Sequence, residues 1–231
     1  ISGDSNIGSL IGNSDSGLVN IDRVRSTVSL TAKTGVIGGI VGHAGYASIT
    51  HSRYQGSIVV EADGSSVDSV GGLAAYIDDA NSVIASSSSS GSVTFTHVNA
   101  VTTGYVGGLV AEYHGNTFRN SSSSIDINLT TDSTSDTLYI GGLVGLYVGS
   151  AAEILDLSYS GSVSVNAAGS VKYIGGLFGG FDVSGLSNAS FTGSIDVIAQ
   201  GGLEKFGGIG GSYSGSTIDA HHIKMAGSMH A

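Results

Sequence analysis

Alternating apolar and polar residues recur along the chain in short stretches that each predict a β-strand. Apolar residues point to one side of each stretch, and Ser, Thr, Asp and Asn mostly occupy the other side. No run of a dozen residues shows helical periodicity, so the chain is predicted to be all-β. The stretches read "GSIVVEA" from Gly56, "GSVTFTH" from Gly91, "SSIDINL" from Ser123, "GSVSVNA" from Gly161 and "GSIDVIA" from Gly193.

A second phrase, in which an apolar residue precedes two glycines, repeats at a nearly constant interval. We expect these pairs to be structural, because Gly accepts positive φ and a close approach of neighbouring backbone. The first glycines lie 33, 36, 34, 34 and 32 residues apart, and a weaker copy, "IGSLIG", precedes them from Ile7 to Gly12. The pairs are Gly38 and Gly39, Gly71 and Gly72, Gly107 and Gly108, Gly141 and Gly142, Gly175 and Gly176, and Gly207 and Gly208.

This interval predicts the architecture. Repeats of roughly 20 to 50 residues are typical of solenoids, in which units stack because one unit cannot bury its apolar side alone. Residues 1–231 are therefore predicted to form a single domain, a parallel β-solenoid (β-helix) of about seven rungs of 30–36 residues with three strands per rung. The units start near residues 7, 37, 70, 106, 140, 174 and 206.

Three of the glycine phrases resemble the GLUG motif. They are "GIVG" (Gly39 to Gly42), "GLVG" (Gly142 to Gly145) and "GLFG" (Gly176 to Gly179), and the other units carry relaxed versions. This motif recurs in large bacterial surface and secreted proteins, including adhesin-like chains. The resemblance implies a structural or adhesive, non-enzymatic repeat protein that is located outside the cell or on its surface.

Composition narrows the range of partners. The chain has 18 acidic and 8 basic residues and a net charge of −10, which disfavours a nucleic-acid surface and docking on anionic lipid. It has no Cys, which excludes disulfides and zinc–thiolate sites. No apolar run approaches the length of a membrane span, so we expect no membrane insertion. We also expect no cofactor and no metal.

An aromatic residue follows most glycine pairs at a similar distance and is the best candidate for ligand binding. In register, these residues would form a ladder along one edge of the solenoid. Two interpretations stay open: the ladder stacks inside a corner, or it is exposed and binds the rings of a glycan. The residues are Tyr76, Tyr113, Tyr147, Phe181 and Tyr213.

The candidate residues for catalysis and for metal binding are weaker. Asp126 and Asp196 are assigned to the same repeat position on one outer face, two rungs and about 10 Å apart by rung spacing. This distance keeps a polysaccharide-acting enzyme as a remote alternative. Four of the seven histidines, His43 and His114 among them, occupy different repeat positions and are not expected to converge. The segment "DSTSD", from 132 to 136, lacks the Gly and Glu of a complete calcium loop.

The ends of the chain suggest how it assembles. It opens on Ile1, almost directly with a rung phrase, and stops inside the phrase "GSM" that begins at Gly227. Natural solenoids cap their terminal rungs, because bare strands offer unpaired N–H and C=O groups. We therefore expect either subunits that self-associate end to end into a fibre, or a section of a longer adhesin that stacks on flanking repeats.

Overall fold

The computed structural model describes residues 1–3, 5–63, 67–98, 104–131, 137–149, 153–215 and 217–231. Within them the chain is all-β and forms parallel sheets wound into a β-solenoid of about 6 turns, which confirms the predicted fold class. The segment "DSTSD" lies outside the described residues.

The strands are short and follow one another with few connecting residues. The first half of the chain contains β1 (Ser2–Gly3), β2 (Ile7–Gly8), β3 (Ile11–Asp22), β4 (Arg25–Ser26), β5 (Leu30–Ala32), β6 (Gly35–Gly38), β7 (Val41–Thr50), β8 (Arg53–Asp63), β9 (Val67–Gly71), β10 (Ala74–Ile77), β11 (Val83–Ala85), β12 (Ser88–Val98), β13 (Gly104–Gly107) and β14 (Val110–Tyr113). The second half contains β15 (Thr117–Thr131), β16 (Leu138–Gly141), β17 (Val144–Val148), β18 (Glu153–Tyr159), β19 (Ser162–Ala167), β20 (Val171–Gly175), β21 (Phe178–Asp182), β22 (Gly185–Phe191), β23 (Ser194–Ala199), β24 (Leu203–Gly207), β25 (Gly210–Tyr213), β26 (Asp219–His221), β27 (Lys224–Met225) and β28 (Ser228–His230).

The strands that end in a glycine pair form a sheet of their own. It contains β2, β6, β9, β13, β16, β20 and β24, and the remaining paired strands form a second, larger sheet that covers the other sides of the solenoid. In the first sheet the predicted glycine repeat is in register from Gly8, in the weaker copy, to Gly207.

Identical or similar apolar residues lie above one another inside the solenoid, and this stacking forms the core. One column runs through the residue that precedes each glycine pair. Most of these side chains have no exposed surface, and burial of each such Val or Ile stabilises the fold by about 1.5–3 kcal/mol. The column consists of Ile7, Ile37, Val70, Val106, Ile140, Ile174 and Phe206.

The glycine pairs form a corner at which neighbouring turns approach closely. A Cβ on Gly141 would overlap the carbonyl oxygen of Val144 in its own turn and lie 2.7 Å from the backbone nitrogen of Gly179 in the next. A Cβ on Gly142 would overlap the ring of Tyr159 and the carbonyl oxygen of Gly176. None of the predicted pairs has positive φ, so the close approach alone requires Gly there, and the expected role of positive φ was wrong.

Among non-glycine residues, positive φ occurs instead at a bend that is found once in each turn. Asn and Asp, which adopt this left-handed conformation more readily than other non-glycine residues, occupy three of the positions. The bend adds a corner that the alternation of apolar and polar residues did not reveal. The residues are Arg23, His51, Ser86, Asn120, Asp156, Asn188 and His222.

In three turns, a buried serine next to this bend accepts a hydrogen bond from a backbone N–H group of the preceding turn. Ser52, Ser87 and Ser121 follow the bend residue, and each is almost fully buried. The hydroxyl of Ser87 donates to the carbonyl of Ala85 at 3.0 Å and accepts the backbone N–H of Ser52 at 3.2 Å. Ser121 repeats the arrangement one turn further, accepting the N–H of Ser87 at 3.2 Å. Because a buried N–H without a partner is costly, these hydroxyls stabilise the bend.

Candidate functional surfaces

The predicted aromatic ladder exists, but it lies inside the solenoid. Tyr113, Tyr147, Phe181 and Tyr213 are in register in four consecutive turns. Tyr113 and Tyr147 have 0% exposed surface and Phe181 has 6%, while Tyr213, in the last turn, is partly buried. Ring centroids are 5.4 Å apart between Tyr113 and Tyr147 and 5.1 Å apart between Phe181 and Tyr213.

The hydroxyl groups of this inner ladder are used by the backbone. Tyr113 donates to the carbonyl of Ser82 at 2.8 Å, and Tyr147 donates to the carbonyl of Gly115 at 2.7 Å. Burial raises the pKa of Tyr147 well above its usual value. Of the two interpretations left open by the sequence, these four residues fit internal stacking. They do not form the exposed edge that glycan binding would require.

Tyr76 does not belong to this ladder. Its neighbours in register are His43 in the preceding turn and Glu112 in the following one, whereas Ile77 occupies the ladder position beside Tyr113. The sequence placed Tyr76 in the ladder because it follows its glycine pair at nearly the same distance. One residue of difference on a β-strand moves a side chain to the opposite face, so Tyr76 is on the outside.

Around Tyr76 the structure brings together histidines and carboxylates that sequence spacing had kept apart. The ring of His43 stacks on Tyr76 at 4.9 Å, and His114 meets it edge-on at 5.7 Å. The hydroxyl of Tyr76 donates to Asp78 at 2.8 Å, and Nε2 of His114 lies 2.9 Å from Glu112 Oε1. His43 lies in the turn before Tyr76 and His114 in the turn after it, so the two histidines contact the same tyrosine from different turns. We call these five residues the histidine–tyrosine cluster.

The cluster has a defined electrostatic character. The hydrogen bond with Glu112 raises the pKa of His114, and Asp78, 3.4 Å from Nδ1, contributes in the same direction. Burial and the hydrogen bond to Asp78 raise the pKa of Tyr76. His114 therefore binds a proton more tightly than a free imidazole, and its protonated form links two consecutive turns. In the described part of the chain, no group of three or more His, Asp or Glu residues is placed to hold a metal ion.

A second tyrosine ladder, which the sequence analysis did not identify, lies on the outer side of the glycine-pair sheet. Tyr105, Tyr139 and Tyr173 are in register, each is partly exposed, and Lys205 continues the column. Ring centroids are 5.4 Å apart between Tyr105 and Tyr139 and 4.4 Å apart between Tyr139 and Tyr173. Each of these tyrosines lies two positions before the first glycine of its pair, so counting back from the glycines would have predicted the ladder. We call it the outer tyrosine ladder.

The rings of the outer tyrosine ladder face one another. Tyr139 and Tyr173 are nearly parallel, with 27° between their planes, and at 4.4 Å two such rings are stacked face to face. The ammonium group of Lys205 lies 5.1 Å from the centre of the Tyr173 ring, in a cation–π contact. Because Tyr139 and Tyr173 cover each other's faces, the ladder has little of the free flat surface on which sugar rings stack.

The candidate carboxylates are not a pair. Asp126 is in register with Ser92, whereas Asp196 aligns with Ser164 and so belongs to a different column. Asp126 Oδ1 accepts hydrogen bonds from the backbone N–H of Ser162 at 2.9 Å and from its hydroxyl at 2.7 Å. The assignment of both aspartates to one repeat position was therefore wrong. Asp126 ties two turns together.

An open groove of about 530 Å³ runs beside Asp126 along the corner that precedes the long outer strands. Ser, Thr and Gly dominate its lining, and Asp126 is the one ionisable side chain among the described residues there. General acid–base catalysis requires a second positioned proton donor or acceptor. The groove offers hydroxyl groups for hydrogen bonding and supplies no such partner to Asp126 from its own lining.

The chain was compared with known proteins, and no protein-family model, curated protein or solved structure matches it. Within the residues that the structure describes, no helical segment has the length and hydropathy that a membrane crossing requires.

Proposed function

We propose that this chain is a non-enzymatic structural rod, outside the cell or on its surface, that associates with further solenoid turns through its two end faces. The observation that carries the proposal is the continuity of the core columns. Two columns reach the outermost turns without a change of residue class: the apolar residues before the glycine pairs, from Ile7 to Phe206, and the first glycines, from Gly8 to Gly207. Along these two columns, each end face repeats the chemistry of the interfaces between internal turns. The resemblance to the GLUG motif supports the extracellular location.

The end face formed by the last turn is apolar. Phe206 and Met229 occupy the same columns as the fully buried Ile174 and Ile195, but they are only partly buried. Ile209 is likewise partly buried. Solvent thus contacts side chains that an additional turn would cover, and covering them would be favourable by roughly 25 cal/mol per Å² of apolar surface.

The opposite end face, formed by the first turn, is complementary. Leu10 lies in the column of the buried leucines that follow each glycine pair, and it is 55% exposed. Stacking of two copies in register would bring Ile209 of one copy against Leu10 of the next. It would also bring His221, in the column of Ser187, against Asp22, in the column of Thr50. Backbone N–H and C=O groups along these edges would pair as they do between internal turns.

The alternatives have less support. For a glycan-binding adhesin, most of the inner aromatic ladder is buried, and in the outer tyrosine ladder Tyr139 and Tyr173 stack on each other. For a polysaccharide-acting enzyme, Asp126 and Asp196 lie in different columns, and Asp126 is engaged by Ser162.

Sedimentation velocity of the 231-residue chain tests the proposal. Phe206→Asp places a charge on the end face, and Ile198→Asp is a matched control because Ile198 is 59% exposed on the side of the solenoid. We expect the parent chain and the Ile198 variant to form concentration-dependent oligomers and the Phe206 variant to remain monomeric. A parent chain that is monomeric at all concentrations, or equal association of all three proteins, would overturn the proposal.

A further inference from the structure

The outer tyrosine ladder combines three properties that favour covalent coupling between its members. Its rings are close together, their positions are fixed by the register of consecutive turns, and each residue is partly exposed to solvent. We propose that this ladder is a site of oxidative tyrosine coupling, in which a dityrosine bond between Tyr139 and Tyr173 joins two turns of the solenoid.

The reaction requires a one-electron oxidant, for which we name a peroxidase that turns over hydrogen peroxide. The oxidant removes one electron and the phenolic proton from each tyrosine. The two phenoxyl radicals combine through the ring carbons next to the oxygens, and each of these carbons then gives up its hydrogen as the ring regains aromaticity and the oxygen regains a proton. In total, two electrons and two protons leave the protein, and one molecule of peroxide becomes two molecules of water.

Geometry selects Tyr139 and Tyr173. Their ring centroids are the closest pair in this ladder, at 4.4 Å, and the rigid sheet holds the two rings together before oxidation. Such positioning converts a bimolecular encounter into an effectively unimolecular step. Tyr105, at 5.4 Å from Tyr139, is the next candidate.

The inner ladder shows why proximity alone is not sufficient. Tyr113 and Tyr147 also lie 5.4 Å apart, but both are fully buried. Their hydroxyl groups donate to backbone carbonyls, so neither phenolic proton can leave without breaking an interior hydrogen bond. An oxidant in solution therefore reaches the outer ladder but not Tyr113 and Tyr147.

The coupling would supply a kind of link that the chain otherwise lacks. The sequence has 10 Tyr and no Cys, so a disulfide cannot join its turns. A Tyr139–Tyr173 bond closes the segment between these residues into a loop, which restricts the unfolded chain in the same way as a disulfide. The coupled protein should therefore resist unfolding better than the untreated protein.

The test is treatment of the purified chain with a peroxidase and hydrogen peroxide, followed by proteolysis and mass spectrometry. We expect dityrosine fluorescence, a Tyr139–Tyr173 cross-linked peptide that has lost two hydrogen atoms, and a yield per chain that does not depend on protein concentration. Tyr139→Phe and Tyr173→Phe keep the ring stack and should each abolish this peptide. Tyr46→Phe, which removes a partly exposed tyrosine outside the ladder, should leave it unchanged.

Three results would overturn the proposal. They are the absence of dityrosine, cross-links that join only different chains, and a Tyr139→Phe variant whose fluorescence equals that of the parent. Circular dichroism of each variant before treatment confirms that it is folded, so that a lost cross-link reports chemistry. A further readout is urea unfolding, in which the coupled parent should have a higher midpoint than the coupled Tyr139→Phe variant.

Discussion

Replacement of Gly141 by Ala tests the packing at the glycine corner. The added Cβ would overlap the carbonyl oxygen of Val144 and lie 2.7 Å from the backbone nitrogen of Gly179. Both obstacles are backbone atoms of paired strands, so no side chain can rotate away and the turns must separate locally. Overpacking of a core costs about 1–3 kcal/mol, and we expect a loss near the upper end of this range, about 3 kcal/mol.

Gly185 is a matched control on the same solenoid. No atom lies within 4 Å of a Cβ built there, and its φ is not positive. Gly185→Ala should therefore be neutral or stabilise the protein by about 0.4–1 kcal/mol, because Ala reduces the freedom of the unfolded chain. The comparison separates a steric effect at the corner from a general effect of replacing Gly in a strand.

Urea unfolding followed by circular dichroism measures both effects. With a slope of about 1–3 kcal/mol per molar urea, a loss of about 3 kcal/mol lowers the midpoint by about 1 M or more. The Gly185 variant should unfold at or slightly above the parent midpoint. If Gly141→Ala unfolds within about 0.3 M of the parent, a difference smaller than 1 kcal/mol by the same slope, the close approach does not constrain the corner.

Three other predictions concern interior hydroxyl groups and the histidine–tyrosine cluster. Ser87→Ala should lower the free energy of unfolding by about 1–3 kcal/mol, because a buried backbone N–H loses its acceptor; urea unfolding measures this, and no loss would contradict it. Tyr147→Phe keeps the ring stack but removes one buried hydrogen bond, so we expect a loss of about 1 kcal/mol by the same assay, and an unchanged midpoint would argue against that bond. The raised pKa of His114 contributes stability that is complete below its unfolded pKa of about 6.5 and is lost as the pH rises through the folded value. An NMR titration should show that Glu112→Gln lowers this pKa, and an unchanged value would assign the shift to another group.

The solenoid architecture could be predicted from the sequence, because the glycine pairs and the stretches of alternating apolar and polar residues each recur once per rung. It was insufficient for side-chain placement, since a β-strand alternates its faces and an error of one residue reverses a side chain. Tyr76 was misplaced for this reason. Asp126 was shifted by two residues, because the serines before it in "SSIDINL" resemble the "GS" that opens the other phrases.

Other features were present in the sequence but were not recognised. His43, Tyr76 and Glu112 all lie five residues after the first glycine of their pairs, so counting from the glycines would have predicted that they are adjacent. The bend residues could not be identified in this way. They include Arg, His, Ser, Asn and Asp, so no single residue type marks the bend in the sequence.

Electron microscopy of the purified chain over a dilution series tests the central claim most directly. If the end faces repeat the internal interfaces, the images should show unbranched fibres of constant width at high concentration and shorter rods on dilution. Isolated rods about 6 turns long at every concentration would contradict self-association through the end faces.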